Sequence, residues 1–382
     1  MFHRLFVPSL FVAALLAGPA LGQRSPVSQE EQLKQLLQRF PDADANRDGT
    51  LTRDEAQTYR AKMQGKQGKQ PDRKQPTPLI KPTHADVHYG PHERQVLDFY
   101  QAKSGQPTPV IIYIHGGGFV GGDKRRVNSA MLQEALAAGI SFAAIHYRFV
   151  DGDKTIFPVP QHDGARAVQF IRSQAKEWNV DPARIACYGG SAGAGISMWI
   201  GFHDDLAQPD SPDPVARQST RIQAIGTLGG QGTYDPVKIK QLIGGRAHEH
   251  PSLLKVYGLK SMDEALNPTP AVQKLYDEAA AISHLTADDP PLYMVYSEPD
   301  VIPPADARPG QFIHHPNFGR QLKAKMDELG IENVFINSGG NPPTPQPPDG
   351  MLEFLKKALA QDHVSGVGST ANPNPSGSPK LP

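Results

Sequence analysis

The chain has 382 residues, in which 39 Lys and Arg are balanced by 39 Asp and Glu, with one Cys, 36 Gly and 37 Pro. Balanced charge leaves no electrostatic footprint for nucleic acid or an anionic membrane, and a single cysteine excludes an intramolecular disulfide or a multi-cysteine metal site. At 38% hydrophobic and 7% aromatic residues, the core is lean for the whole length, so one domain of up to about 300 residues with appendages is expected.

At the N-terminus, His3 and Arg4 precede an apolar run from Leu5 to Leu16, and Ala20-Leu21-Gly22 puts small residues before Gln23. This is the layout of a secretory signal, and the run is shorter than the about 20 apolar residues a membrane span needs. Residues 1–22 are therefore expected to be removed. The protein would work outside the cytoplasm, secreted or periplasmic, with no stable membrane insertion and with stability supplied by packing or bound ions.

Residues 23–60 read as a small all-α module. Leu33, Leu36, Leu37 and Phe40 fall on one helical face, and a second helical stretch runs from Arg53 through Tyr59. Between them the chain reads Asp44-Ala-Asn46-Arg-Asp48-Gly49-Thr50-Leu51-Thr52-Arg-Asp-Glu55. The spacing fits a twelve-residue EF-hand calcium loop: side-chain oxygens from Asp44, Asn46 and Asp48, the carbonyl of Thr50, a water-mediated contact from Thr52, and a bidentate carboxylate from Glu55. Gly49 sits at the sharp turn. A single loop predicts Ca2+ as a structural or adhesive ion held in the weak range. Residues 61–82, rich in Lys, Gln, Gly and Pro, form a basic linker; residues 363–382, built of Ser, Gly, Pro and Asn, bury almost nothing and form a disordered tail.

The body, residues 83–362, alternates strands and helices. Val110 to Ile114 is a continuous apolar strand that ends in His115-Gly116-Gly117-Gly118. Helical residues 130–138 follow, then a strand from Ser141, a helical stretch from Gln161 to Trp178, and a strand from Arg184 to Gly189. Later strands fit Gln223 to Leu228, Leu292 to Ser297 and Asn333 to Asn337, with helices near 263–266, 271–281, 318–329 and 350–360. Such alternation predicts a mostly parallel sheet with helices on both faces.

Gly189-x-Ser191-x-Gly193 lies between a strand and a helix, the layout of a nucleophile elbow whose tight turn admits only small neighbours and holds the serine hydroxyl outward. Gly117 and Gly118 could add their amides to that of Ala192 to form an oxyanion hole, because residues without Cβ let backbone approach a substrate oxygen. On these two motifs the chain resembles the α/β-hydrolase superfamily, in particular the HGGG-motif esterases and lipases of the hormone-sensitive-lipase-like and feruloyl-esterase-like groups. The resemblance covers roughly residues 82–360.

It implies an α/β-hydrolase fold, a carboxylic ester substrate (carbohydrate or acetyl esters included), no cofactor for catalysis, and a Ser, acid, His order along the chain. Asp300 matches the acid position, with Glu298 in reserve. The base is expected on the loop after the last strand, yet 338–349 holds no histidine. His315, next to the coming helix, takes the role first, with His314, or His248 or His250 from the segment after Leu228, as alternatives. Without a base, the same pocket would serve a barely active or non-catalytic relative that binds a ligand. His115 is expected to bond backbone near the oxyanion loop, Cys187 to pack in the core, Arg148 to pair with a carboxylate, and His203-Asp204-Asp205 to be a solvated helix end rather than a metal site. Residues 232–268 fall where such enzymes carry a lid, and a surface loop fits them equally.

Overall fold

The structure, a computed structural model, describes residues 37, 43–44, 48–52, 55, 80–340, 342–344 and 350–361. The signal segment, most of the linker and the tail lie outside the described residues. The chain divides into two compact units, Met1–Pro76 and Thr77–Pro382. Among the described residues no helix is long and apolar enough to cross a membrane.

In the larger unit the strands are β1 (His84–His88), β2 (Val96–Tyr100), β3 (Thr108–Ile114), β4 (Ser141–Ile145), β5 (Val180–Gly190), β6 (Ala224–Leu228), β7 (Leu292–Tyr296) and β8 (Asn333–Asn337). They form one sheet in the order β1-β2-β4-β3-β5-β6-β7-β8. β1 and β2 join antiparallel at one edge, and every pair from β4–β3 to β7–β8 is parallel. This is the α/β-hydrolase architecture the alternation predicted. The antiparallel edge was not read from the sequence.

Helices cover both faces. On one, α1 (Ser129–Ala137) and the C-terminal helix Gly350–Ala360 enclose Ile111, Phe142, Tyr188 and Leu355. The other face carries α2 (Val159–Ser173) and α3 (Ala192–Phe202), with Ile112, Ile114, Val168, Cys187 and Trp199 in the larger core. Alternate strand residues serve opposite faces, so Ile111 and Ile112 enter different cores. Cys187 is fully buried, and burial raises its thiol pKa far above the reactive range. Arg148 pairs with the buried Asp163, Nη2 to Oδ1 at 2.6 Å and Nε to Oδ2 at 2.9 Å.

Residues 232–268 fold as α4 (Pro236–Ile243), α5 (Pro251–Tyr257) and α6 (Met262–Leu266), with a 3₁₀ turn at Ala247–Glu249. Each α-helix has a side-chain N-cap: Asp235, His250 and Ser261 accept from backbone amides in their first turns. α7 (Pro270–Ala279), α8 (Ala281–His284) and α9 (Asn317–Glu328) complete the layer.

Candidate active site

Ser191 stands between the end of β5 and the start of α3 with φ 52° and ψ −119°, a conformation L-residues avoid. The turn closes because Gly193 lies against the Ile114 carbonyl so tightly that a Cβ would collide with it. The Ser191 amide donates to the Leu228 carbonyl at 2.9 Å and is thereby committed to the sheet. The Ala192 amide, first in α3, has no intrahelical acceptor and sits at the positive end of the helix dipole. Facing it, Gly117 (φ 128°) and Gly118 (φ 59°) turn the chain after β3, and a Cβ on Gly117 would meet the Gly121 carbonyl. Among the described residues nothing accepts a hydrogen bond from the Gly117 or Gly118 amide.

His115 supports this turn from below. Its Nδ1 donates to the Gly116 carbonyl at 2.9 Å, its ring stacks on Tyr147 at 4.4 Å, and the Tyr147 hydroxyl donates to the His115 carbonyl at 3.0 Å. Burial, with His146 and Arg94 nearby, holds its pKa down to about 4, so the imidazole stays neutral.

The histidine that meets Ser191 is His314. Its Nε2 lies 2.8 Å from Ser191 Oγ and its Nδ1 3.2 Å from Glu298 Oε1, while Glu298 Oε2 accepts the His314 backbone amide at 2.9 Å. A carboxylate accepts only, so Nδ1 carries the proton and Nε2 presents its lone pair to the serine hydroxyl. The ring lies against Gly229, where a Cβ would come within 3.0 Å of the His314 side chain, and Gln231 Nε2 holds the Ile313 carbonyl at 2.8 Å. Ser191 Oγ, the His314 imidazole and the Glu298 carboxylate therefore form one hydrogen-bonded line.

The expected pair His315 and Asp300 is not brought to the serine. His315 is buried, donates from Nε2 to the Val301 carbonyl at 3.1 Å and accepts at Nδ1 from the Asn317 amide at 3.1 Å, so one ring nitrogen ties the loop after β7 and the other the start of α9. The two histidines lie in a turn, where the His315 amide donates to the Phe312 carbonyl and the Phe318 amide to the His315 carbonyl, and their side chains leave it toward different partners. Asp300 is clamped by the Arg320 guanidinium, Nη1 to Oδ1 at 2.9 Å and Nη2 to Oδ2, and by Asn337 Nδ2 at 3.0 Å. Arg320 holds its carboxyl below the ordinary aspartate range. His250 caps α5 at 3.3 Å through Nδ1, and His248 bonds neither the serine nor its partners.

Two spaces open beside Ser191. An apolar cavity of about 40 Å³ is lined by Phe119, Tyr234, Leu253, Val256 and Phe318 together with Ser191 and Ala192. Most of its outer wall comes from α4 and α5, so residues 232–268 cover the nucleophile as a lid would. The other space is an open groove of about 520 Å³ that exposes Tyr113, Arg126, Ser297 and His314. The apolar positions Ile239, Leu253 and Val256 carried the signal for the cavity wall, but their spacing does not say what they face.

In the smaller unit, Asp44 Oδ2 accepts the Gly49 amide at 2.8 Å and Asp48 Oδ1 the Thr50 amide at 2.8 Å. Gly49 has φ 82°, and Leu51 is buried. Thr52 and Glu55 form a reciprocal box: Thr52 N and Oγ1 donate to Glu55 Oε2 at 3.0 and 2.6 Å, and the Glu55 amide donates to Thr52 Oγ1 at 3.3 Å. Among the described residues Asp44 Oδ1 is buried without a hydrogen-bond partner. A buried acceptor of this kind fits an oxygen-coordinated ion. Asn46 lies outside the described residues.

The BD-FAE family model matches residues 97–308. The chain is 26% identical over 231 residues to the probable carboxylic ester hydrolase LipM of Mycobacterium tuberculosis, covering 59% of this chain and 50% of that protein. It is 25% identical over 233 residues to esterase LipQ of the same organism, with 59% and 51% coverage. The chain thus spans about half the length of these curated relatives. A solved carbohydrate esterase from gut microbiota, in truncated form, superposes with TM-score 0.55 at 20% identity, over 73% of this chain and 96% of that one. With the family model matched over more than half of its length, the chain belongs to the BD-FAE family.

Proposed function

We propose that this protein is a secreted serine carboxylesterase acting on short acyl esters, acetylated carbohydrates among them. The observation that carries the reading is the Ser191–His314–Glu298 hydrogen-bond line beside two glycine amides with no internal partner. His314 Nε2 takes the Ser191 proton as Oγ bonds to the acyl carbon, and the developing oxyanion receives the amides of Gly117, Gly118 and Ala192. Collapse breaks the bond to the alcohol oxygen, which takes the proton from His314. Water then attacks the acyl-enzyme, giving its proton to the same nitrogen, and Ser191 leaves reprotonated. Glu298 holds the ring in the required tautomer and stabilises the imidazolium.

The cavity supports the acyl assignment. The cavity is small, about 40 Å³, and walled by Phe119, Leu253, Val256 and Phe318, which suits a short acyl group. The alcohol then lies in the open groove, where Arg126, Tyr113 and Ser297 offer polar contacts to a sugar. Overfilling a packed wall costs about 1–3 kcal/mol, so kcat/KM for p-nitrophenyl acetate is expected to exceed that for the octanoate by about 100-fold. Turnover of neither ester above background rejects the esterase; equal turnover of both rejects the small acyl cavity.

The smaller unit is proposed to bind one Ca2+ through Asp44, Asn46, Asp48, Thr50 and Glu55. The buried, unpartnered Asp44 Oδ1 supports this reading. Calorimetry is expected to give one calcium equivalent with Kd of about 10⁻⁴–10⁻³ M, weakened at least about tenfold in Glu55→Gln. Equal uptake by both proteins sinks the assignment.

A further inference from the structure

α3 begins beside the nucleophile and ends at His203, where the chain leaves the layer. Neighbouring Asp205 turns away, its Oδ1 accepting the Thr220 amide at 2.8 Å, so the consecutive polar run is not a site. Instead His203 meets two residues more than seventy positions on. Its Nε2 lies 3.4 Å from Glu278 Oε1, and its ring centroid lies 4.5 Å from that of His284. One donor atom from each of His203, Glu278 and His284 lies within 4.8 Å of the others, and all three side chains are partly open to solvent.

Both imidazoles are fixed by backbone carbonyls. His203 Nδ1 is 2.9 Å from the Asp204 oxygen and His284 Nε2 is 2.8 Å from the Glu278 oxygen. Carbonyls only accept, so these nitrogens carry the protons, and His203 Nε2 and His284 Nδ1 are left with lone pairs. Tying one ring nitrogen to a carbonyl while the other stays free is how proteins orient metal-binding histidines. The Glu278 carbonyl is further held by the buried Trp199 indole at 2.8 Å, whose ring packs 4.2 Å from His203. Near His203 Nε2 a carboxylate oxygen faces the ring nitrogen, an arrangement that a proton or a metal cation between them satisfies. The negative end of the α3 dipole adds to that demand.

We propose that His203, Glu278 and His284 bind a zinc-type divalent ion. Two imidazoles and one carboxylate suit Zn2+, with water as fourth ligand. Ligands about 2.0–2.2 Å from zinc are about 3.4 Å apart in a tetrahedron, the separation already present between His203 and Glu278. The site lies about 18 Å along α3 from Ser191, so the ion is structural. It clamps the end of the nucleophile helix to α7 and α8 in a chain with no disulfide.

The test uses the full chain carrying Glu55→Gln, which silences the calcium loop, titrated with Zn2+ by calorimetry. One equivalent is expected, accompanied by a rise in thermal midpoint at saturating metal. His203→Ala, Glu278→Gln and His284→Ala should each weaken binding by at least about 100-fold, more than typical outer-shell losses. Unchanged uptake in these variants, or substoichiometric uptake by the parent, overturns the site and leaves an ordinary His–Glu ion pair. Should a variant fail to fold, Co2+ added to the parent decides: the expected result is the visible spectrum of a four-coordinate centre with nitrogen ligands, and its absence rejects the proposal.

Discussion

The His314→Ala protein is expected to lose roughly 10⁶-fold in kcat for p-nitrophenyl acetate, while His315→Ala keeps its activity to within about tenfold. The two residues are adjacent but face different tasks. His314 Nε2 accepts from the Ser191 hydroxyl across 2.8 Å, and without it the hydroxyl is a poor nucleophile at neutral pH. His315 spends both nitrogens on Val301 and the first turn of α9, so its loss costs about 1 kcal/mol of cap stability and only loosens the loop that carries its neighbour. The acids should divide the same way. Glu298→Gln disturbs the tautomer and costs about 10²–10⁴, whereas Asp300→Asn weakens an ion pair with Arg320 on the rim. Steady-state kinetics on the four proteins check this; equal losses at 314 and 315, or a larger loss at 300 than at 298, would assign the triad otherwise.

Ser191→Ala is expected to abolish labelling by a fluorophosphonate probe and to lower kcat by about 10⁶, since a triad works as a unit. Ser191→Gly should be equally inactive yet more stable. The φ of 52° and ψ of −119° are costly for any residue with a Cβ, about 1–3 kcal/mol, and glycine carries no such penalty. A higher thermal midpoint in Ser191→Gly than in Ser191→Ala would mark the elbow as a store of strain. Labelling that persists in Ser191→Ala would move the nucleophile elsewhere.

The parallel sheet was legible because buried strands such as Val110 to Ile114 and Leu292 to Tyr296 are unbroken apolar runs between glycines and prolines. The elbow and the glycine turn were legible because close backbone approach leaves no choice of residue. The acid and base were not. Glu298 and Asp300 are two residues apart on one loop, and His314 and His315 are neighbours, so spacing cannot say which member turns inward. That choice is made by Arg320 and Asn337, which capture Asp300, and by Asn317, which captures His315, all of them set by the packing of α9 against β8. β1 and β2 escaped notice because His84 to His88 alternates weakly and Asp98 interrupts the apolar run Val96 to Tyr100; Asp98 is buried there against Lys124.

Glu298 and His314 both belong to the single crossover between β7 and α9. The proton-transfer groups are thereby laid down before Pro316, and among the described residues the turn after β8 acts on them only as a support. Gly339 lies against the Glu298 carbonyl, where a Cβ would collide with it, so a side chain at that one position is expected to displace the acid although it lies more than forty residues further along the chain.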